Sequence, residues 1–332
     1  MAKDAGAGLI NNQKESWTFK FDKLMHNASQ EEVFEYCAQQ AVHKVMDGFN
    51  GTVMCYGQTG AGKTFTMTGS TANYKYRGLI PRAISKIFSE VGGRFDNQIT
   101  VKVSFVEIYN ELMFDMLSET SPADQSGSNI TIFEDQTGEV SVRGLTMTEC
   151  RNEEEALNCL FEGEQQRATT DNSLNVNSSR SHAIFTIHIE SRSTIEQSEK
   201  VITSKLHLVD LAGNERTKKT GATGITMREA NYINRSLSFL EQVVVGSTDK
   251  KRDHVPYRQS KLTNMLKNSI GGNCYTILVA NIWPEASHLE ETLSTLRFAT
   301  RMKQVENVPT VNETADQALL IKRYQREVRD LK

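Results

Sequence analysis

An eight-residue segment between a short apolar run and a helical pattern constrains this chain more than any other feature. It fits G-x-x-x-x-G-K-[ST], and its members are Gly57, Gln58, Thr59, Gly60, Ala61, Gly62, Lys63 and Thr64. Glycines let successive backbone N–H groups turn inward around phosphate oxygens, and the N-terminus of the following helix attracts the same charge. Lys63 is placed to reach the β- and γ-phosphates, and the Thr64 hydroxyl to ligate Mg²⁺. The segment predicts a nucleotide site at the end of a strand at 52–56.

A second apolar run, at 206–209, ends in Asp210, which begins the tetrapeptide D-L-A-G. A carboxylate at the end of such a strand holds Mg²⁺ through water, and the N–H of Gly213 is placed to face the γ-phosphate. Segments of this type sense whether that phosphate is present. A turn that closes a core strand is the alternative, and it is common for this tetrapeptide in isolation. Together with the phosphate loop, the segment favours the sensor.

Apolar periodicity predicts strands that alternate with helices along most of the chain. Helical patterns lie at 31–50, 153–164 and 231–245, and further strands at 99–108, 184–189, 205–209 and 275–282. A loop at 118–129, rich in Ser, Asp, Gly and Pro, precedes a hairpin that turns near 135–138. This alternation indicates an α/β protein built on a layered sheet.

Charge is distributed unevenly along the chain. The 332 residues have a formal net charge of −3, yet residues 211–270 contain eleven Lys or Arg against five Asp or Glu. A basic face on an acidic protein indicates an acidic partner, although a solvated surface with scattered charges explains the same counts. The overall charge argues against a protein that binds nucleic acid as a whole.

Two absences in the sequence favour an intracellular protein. No uncharged apolar run approaches the ~20 residues that cross a bilayer, and the first residues lack the apolar stretch of a secretory signal. The five cysteines are widely spaced, and none belongs to a C-x-x-C pair. We therefore expect no membrane span, and we expect the thiols to be reduced.

A polar run at 175–182 reads N-V-N-S-S-R-S-H, a composition that ordinary loops share. Together with the phosphate loop and D-L-A-G-x-E, however, it resembles the kinesin motor domain, and the three motifs are highly specific as a set. The resemblance covers nearly the whole chain from residue 19 onward. It continues through Y-N-E at 109–111, Y-I-N-R-S-L at 232–237, H-V-P-Y-R-Q-S-K-L-T at 254–263, G-G-N at 271–273 and L-R-F-A at 296–299. The segments 73–78, 161–164 and 238–242 are most similar to the kinesin-9 group of motile cilia and flagella.

The resemblance implies a P-loop NTPase of the kinesin motor type, with ATP and Mg²⁺ as cofactors. Its fold would be a central mixed, mostly parallel sheet with helices on both faces. Kinesin motors normally begin with a strand that carries R-x-R-P and packs on adenine, and we expect a sheet that lacks this first strand. Phe65 is then the residue left to face the base, and a position in the core is the equal alternative.

In this family two serines close over the γ-phosphate, while an arginine and a glutamate form an ion pair that latches the two switch segments. The glutamate also helps to carry away the proton of the attacking water. The implied catalytic residues are Ser178, Ser179, Arg180, Gly213 and Glu215. The implied Mg²⁺ ligands are Thr64, Ser179 and, through water, Asp210.

The resemblance also gives the basic region a role, because in kinesins this part of the chain docks on tubulin, an acidic polymer. Long-range attraction of this kind weakens as salt is added. The implied microtubule contacts are Lys218, Lys219, Arg228, Arg235, Lys250, Lys251, Arg252, Arg258 and Lys261. The hairpin at 130–145 is a track contact in the family, and it carries three acids, Glu134, Asp135 and Glu139, against Arg143 alone. We therefore expect a modest affinity for the track.

Residues 304–313 resemble the kinesin neck linker, with Val305 placed to fill a pocket and Asn312 to act as a latch. A linker that follows the motor core goes, in this family, with movement toward microtubule plus ends. The implied organisation is a motor domain at 1–303, the neck linker at 304–313 and the start of a helical neck or stalk at 314–332. Apolar residues recur at three and four after residue 320. Two heptads leave both a dimerising stalk and a short amphipathic helix open.

The implied function is microtubule-stimulated ATP hydrolysis coupled to plus-end-directed movement, in the cytoplasm and on the cytoskeleton of cilia or flagella. The expected loss of the first strand leaves an alternative, a non-motile microtubule-binding protein with impaired ATP turnover. A GTPase is a poor fit, because guanine recognition usually needs N-K-x-D. The nearest string is K-K-R-D at 250–253, which lacks the Asn.

Overall fold

The computed structural model describes residues 16–70, 73–120, 130–136, 138–173, 180–194, 200–215, 225–249, 252, 254–315 and 317–330. Strands and helices alternate over most of this length. The strands are β1 (Gly51–Tyr56), β2 (Asn97–Tyr109), β3 (Leu112–Asp115), β4 (Thr131–Glu134), β5 (Val140–Arg143), β6 (Thr148–Cys150), β7 (His182–Ser193), β8 (Lys200–Asp210), β9 (Tyr275–Ala280) and β10 (Glu313–Ala315). The helices are α1 (Gln30–Cys37), α2 (Gln39–Met46), α3 (Lys63–Met67), α4 (Leu79–Val91), α5 (Glu153–Ser173), α6 (Ile225–Thr248), α7 (Lys261–Met265), α8 (Leu289–Met302) and α9 (Gln317–Asp330).

One mixed sheet runs through the protein in the order β3-β2-β7-β8-β1-β9, and β6 and β10 add short pairings to β2 and β8. Among the described strands only β1 pairs in parallel, with β8 on one side and β9 on the other. The expectation of a mostly parallel sheet is therefore wrong, although the sheet is mixed as expected. The long strands β2, β7 and β8 are antiparallel neighbours. A link as short as residues 194–199 joins β7 to β8, whereas parallel strands need a crossover of a dozen residues or more.

The centre of the sheet positions the functional site. All six residues of β1 are buried, as a strand with neighbours on both sides and helices on both faces requires. Its register pairs Cys55 with Asp210 of β8 and Tyr56 with Ala280 of β9. The segments that follow these three parallel strands therefore leave the sheet at one edge, where ligands bind in open α/β sheets.

Successive residues of β1 point into two separate apolar cores, one on each face of the sheet. Val53 and Cys55 belong to the core covered by α1, α2, α4 and α5. Met54 and Tyr56 belong to the core covered by α6, α7 and α8. The alternation follows from the two-residue repeat of a strand, and it confirms that helices cover both faces.

Two details differ from the sequence expectations or extend them. The helix expected at 31–50 is interrupted at Ala38, where φ is −126° and ψ is −28°. Residues of α1 and α2 nevertheless pack in the same core, so the bend keeps both apolar stripes against one side of the sheet.

At the other end of the sheet order, no strand within the described residues pairs with the outer edge of β9, whose six residues are all partly exposed. None of the described helices combines the length and the apolar character that a membrane span requires.

Candidate functional site

The phosphate loop leaves β1 through a backbone that only glycine adopts readily. Gly57, Gly60 and Gly62 have φ values of 154°, 83° and 89°. A Cβ on Gly57 would lie 2.1 Å from the carbonyl oxygen of Asn281, the residue after β9. The loop is therefore held against the end of β9, and its path is fixed by backbone packing before any ligand binds.

Lys63 begins α3 and is buried with its ammonium turned back across the loop. Its Nζ donates a hydrogen bond to the carbonyl oxygen of Gln58 at 2.9 Å. Burial lowers the pKa of Lys63, and the carboxylates of Asp210 and Glu215 oppose that shift. A buried cation that makes one bond to a neutral carbonyl favours an anion beside it, because an opposite charge offsets the cost of desolvation.

The Thr64 hydroxyl and the Asp210 carboxylate lie together at the end of two strands. Thr64 Oγ1 donates to Asp210 Oδ2 at 2.6 Å. The other carboxylate oxygen, Asp210 Oδ1, is buried and has no hydrogen-bond partner within the described residues. A hydroxyl and a carboxylate with an unused buried oxygen are the donor set that Mg²⁺ takes beside a phosphate. The residues present therefore fit the implied Mg²⁺.

A buried charge network, which the sequence analysis missed, stands behind this pair. Arg167 of α5 contacts Glu107 of β2 with Nε to Oε1 at 3.1 Å, and both side chains are 2% exposed. Its Nη1 lies 3.7 Å from Asp210 Oδ2, and Ser181 Oγ donates a short hydrogen bond to Glu107 Oε1. The network ties α5, β2, the start of β7 and the end of β8 to one guanidinium. Only the fold brings these residues together.

The γ-phosphate sensor packs directly on the phosphate loop. The backbone N–H of Thr59 donates to Glu215 Oε2 at 2.9 Å, and its hydroxyl donates to Oε1 at 2.6 Å. A Cβ on Gly213 would lie 2.3 Å from both Thr59 Oγ1 and Glu215 Oε2. Thr59, Gly213 and Glu215 therefore lie together, and Glu215 uses Thr59 as its partner, a contact that the sequence did not predict.

Ser178 and Ser179, the serines that are expected to close over the γ-phosphate, lie outside the described residues. Arg180 is half-buried just before β7. Its latch to Glu215 stays a prediction.

His182 links the sensor to α6. Its Nδ1 accepts a hydrogen bond from the Ala212 N–H at 3.0 Å, and its Nε2 lies 2.8 Å from Ser236 Oγ. Burial, with help from Arg167 and Lys63, lowers the pKa of His182 to about 3. The ring is therefore neutral at physiological pH. Because Nδ1 accepts a hydrogen bond, Nε2 carries the proton and donates a hydrogen bond to Ser236 Oγ. One side chain thus joins β7, the sensor segment and α6.

The segment after β9 forms the outer wall of the loop. Gln58 Nε2 lies 3.0 Å from His288 Nδ1, and the Trp283 ring lies 3.9 Å from the position of a Cβ on Gly60. Phe65 is half-exposed on α3, with the Tyr76 ring centroid 6.5 Å away. Phe65 therefore lies at the surface and not in the core, and its contact with a base stays a prediction. Trp283 and His288 were missed because nothing in their local sequence marks them as neighbours of the loop.

Comparison with known proteins decides the family. A model described as "Kinesin motor domain" matches residues 3–305. The chain belongs to the kinesin motor family. "Kinesin-like protein KIF9" of Mus musculus is 51% identical over 332 residues, which is 100% of this chain and 42% of that protein. "Kinesin-like protein KLP1" of Chlamydomonas reinhardtii is 52% identical over 330 residues, 99% of this chain and 42% of that protein.

A solved structure supports the same assignment. "Structure of a fast kinesin: Implications for ATPase mechanism and interactions with microtubules" is 40% identical with a TM-score of 0.79, and the match covers 88% of this chain and 80% of that one. The kinesin-type fold is therefore confirmed, and the relatives above confirm the likeness to the kinesin-9 group. The chain spans about two fifths of the length of these relatives, 42% of each. Kinesin motor domains bind ATP with Mg²⁺, hydrolyse it and associate with microtubules.

The basic residues expected on the microtubule face of this kinesin are described only in part. Arg235, Arg252 and Arg258 are exposed, and Lys261 is half-buried at the first position of α7, with its N–H donated to Glu111. The remaining candidates lie outside the described residues or, for Arg228, have a side chain that does. They are Lys218, Lys219, Arg228, Lys250 and Lys251.

Two of the three acids of the hairpin β4–β5, Glu134 and Glu139, contact cations outside the hairpin. Glu134 contacts Arg258 and Lys267, and Glu139 contacts Lys205 with Nζ to Oε1 at 2.5 Å. Within the hairpin sequence, Arg143 alone opposes these acids. Their partners come from distant parts of the chain, which a local count of charges does not detect.

The segment that resembles the kinesin neck linker lies along the core. Val305 packs against the core that α6, α7 and α8 cover. The Asn312 amide donates to Gly48 O at 3.2 Å and accepts from Asn273 at 2.8 Å, while its backbone N–H also donates to Gly48 O. Asn307, which was not predicted, accepts from Gly271 N–H at 2.6 Å.

Proposed function

We propose that this kinesin is a microtubule-stimulated, Mg²⁺-dependent ATPase that moves toward microtubule plus ends. The observation that carries the proposal is the direct contact of Glu215 and Gly213 with Thr59 of the phosphate loop. The sensor is already seated on the loop, so a γ-phosphate that enters there must change its hydrogen bonds.

The residues of the site divide the chemistry among them. Lys63 and the loop N–H groups neutralise the phosphates. Thr64 and, through water, Asp210 would hold Mg²⁺, which when bound would supply further positive charge beside the γ-phosphate. Glu215 gives up its bonds to Thr59 and pairs with Arg180 as Ser178 and Ser179 close the site. Glu215 then accepts, through water, the proton of the attacking water. Hydrolysis on this proposal rests on placement and charge, because phosphoryl transfer requires little covalent work from the protein.

The same residues connect the hydrolysis of the γ-phosphate to the surface that binds the microtubule. A change at Gly213 pulls on Ala212, whose N–H is bound by His182, and His182 holds Ser236 of α6. α6 carries Arg235 toward the basic face. Because the coupling of two sites is reciprocal, a microtubule that changes nucleotide affinity has its own affinity changed equally by nucleotide.

The C-terminal segments supply the output on this proposal. We assign residues 1–303 to the motor, 304–313 to the neck linker, with Val305 as plug and Asn312 as latch, and 314–332 to the start of the neck. α9 exposes Ile321, Tyr324 and Val328 at spacings of three and four, which is the surface that a homodimeric stalk would bury. We include action in cilia or flagella in the proposal, and the similarity to KIF9 and KLP1, which go with the kinesin-9 group, supports it.

One observation favours a second candidate, a microtubule-binding protein with impaired turnover. Among the described residues, β9 pairs only with β1, which carries the phosphate loop, and all six of its residues are partly exposed. A loosely held β9 would loosen the loop through the contact between Gly57 and Asn281.

Steady-state ATP hydrolysis by residues 1–332, with and without stabilised microtubules, tests the proposal, with Lys63→Ala as the blank. We expect at least about tenfold stimulation, equivalent to about 1.4 kcal/mol of barrier, and gliding of polarity-marked microtubules with their minus ends leading. Salt-sensitive binding without stimulation would favour the second candidate. Absence of both binding and turnover would contradict both.

A further inference from the structure

Glu134, at the end of β4, binds two cations from a different part of the chain. Glu134 Oε1 contacts the Lys267 ammonium, and Glu134 Oε2 lies 3.3 Å from Arg258 Nη2. The hydrogen bond from Lys267, and to a smaller extent the one from Arg258, lowers the pKa of Glu134. The carboxylate is therefore ionised and shared between both cations.

The framework around Glu134 fixes its position. Ile132 of β4 and Val142 of β5 pack against the same core as Leu262 and Met265 of α7. Glu134 is 26% exposed and Lys267 is 27% exposed, whereas Arg258 is 80% exposed. The carboxylate is thus held beside an arginine whose guanidinium remains open to solvent.

We propose that Glu134 acts as an internal substitute for an acidic side chain of the track. It occupies the cation pair Arg258 and Lys267, which an acidic surface on the microtubule would otherwise bind, and so lowers the affinity of this face. The inference rests on the proposed function and specifies which charge tunes it. The occupant it competes with is a carboxylate-rich protein surface, because the two cations match the spacing of one carboxylate and Arg258 is accessible to a partner.

Glu139 provides a matched control within the same hairpin. It also lies on the β4–β5 hairpin and faces the core, but its cation, Lys205, is only 14% exposed, and its other partner is the Asn268 amide. Glu134→Gln and Glu139→Gln change the net charge by the same amount. Only Glu134→Gln releases a cation that a partner can reach.

The test measures co-sedimentation of residues 1–332 with stabilised microtubules in a non-hydrolysable ATP analogue, at low and high salt. We expect Glu134→Gln to bind about twofold to fivefold more tightly at low salt, since exposed pairs have small effects, and the gain to vanish at high salt. Glu139→Gln should bind like the unchanged chain. Adding Lys267→Gln to Glu134→Gln should remove part of the gain, and thermal unfolding of each variant checks that it is folded.

Each outcome of this experiment either supports or overturns the inference. Equal gains in both single variants would mean that net charge alone acts, and they would overturn the inference while leaving the proposed function intact. No gain, or weaker binding, in Glu134→Gln would also overturn it. Binding by Glu134→Gln where the unchanged chain fails to bind would support the inference, and failure of all chains to bind would overturn both the inference and the proposed function.

Discussion

Two of the arginine–glutamate pairs among the described residues lie in contrasting surroundings. Arg167 and Glu107 are each 2% exposed and join four elements behind the phosphate loop. Arg258 is 80% exposed and contacts Glu134 at the surface. A buried charge that loses its partner has no water to replace it, whereas an exposed charge exchanges its partner for water or for another protein. The same residue types therefore stabilise the fold in one region and form a surface contact that can exchange its partner in the other.

The largest expected effect tests the buried side of this comparison. Arg167→Ala leaves Glu107 buried without its cation, and we expect unfolding to become easier by about 3–5 kcal/mol. Arg258→Ala is the exposed counterpart and should cost less than about 1 kcal/mol. Denaturant unfolding of both variants measures the difference.

If Arg167→Ala fails to fold, Arg167→Lys keeps the charge without the planar fork and should give an intermediate loss. Similar small losses for Arg167→Ala and Arg258→Ala would contradict the distinction between the two regions.

Acid should weaken the buried region next most strongly. Burial lowers the pKa of His182 to about 3 and of His188 to about 4, and it lowers that of His207 as well. The unfolded chain binds these protons near the ordinary value of 6.5, so stability is full above that pH and falls as pH decreases below it. We expect a loss of about 1 kcal/mol per histidine between about pH 6.5 and 5.5.

Denaturant midpoints at the two pH values measure this loss, and His188→Asn should reduce the pH dependence by one histidine's share. The lowered pKa of Glu134 keeps the exposed pairs ionised over the same window. A chain equally stable at both pH values would show that these rings are not held neutral in the fold.

A smaller effect concerns turnover instead of stability. Gly213→Ala places a methyl group 2.3 Å from Thr59 Oγ1 and Glu215 Oε2, which displaces the end of a flexible side chain but blocks the close approach of sensor and loop. We expect ATP binding to be kept and stimulated hydrolysis to fall about tenfold, which is about 1.4 kcal/mol of barrier. Single-turnover kinetics separate the two steps. Unchanged turnover would remove the sensor from its proposed role.

The smallest expected effect is optical. The Trp283 ring lies beside Gly60 of the phosphate loop, so a loop that tightens on phosphates should change its fluorescence. The change should persist in Trp17→Phe and disappear in Trp283→Phe and Lys63→Ala. A signal that survives Lys63→Ala would come from somewhere other than phosphate binding.

Local sequence predicted the parts of the site that occupy consecutive residues. Gly57–Thr64 had to form a phosphate loop because its glycines adopt backbone angles closed to other residues, and Asp210 had to sit at the end of a buried apolar strand. The predicted strands and helices overlap observed ones, although α5 continues to Ser173, beyond its predicted end at 164, and α4 and α8 were not predicted. The direction of the strands was not, because β7 and β8 read as apolar runs whether they pair in parallel or antiparallel.

The sequence by itself determined a phosphate loop at the end of a central strand, and its motifs marked the chain as a kinesin motor. Only the tertiary structure decided which charges face each other. Arg167 meets Glu107 across 60 residues of chain, and Glu134 meets Lys267 across 133. The physical reason is that backbone conformation is set by neighbours in the chain, whereas Coulombic and hydrogen-bond partners are set by distances in space that only the packed sheet and helices fix.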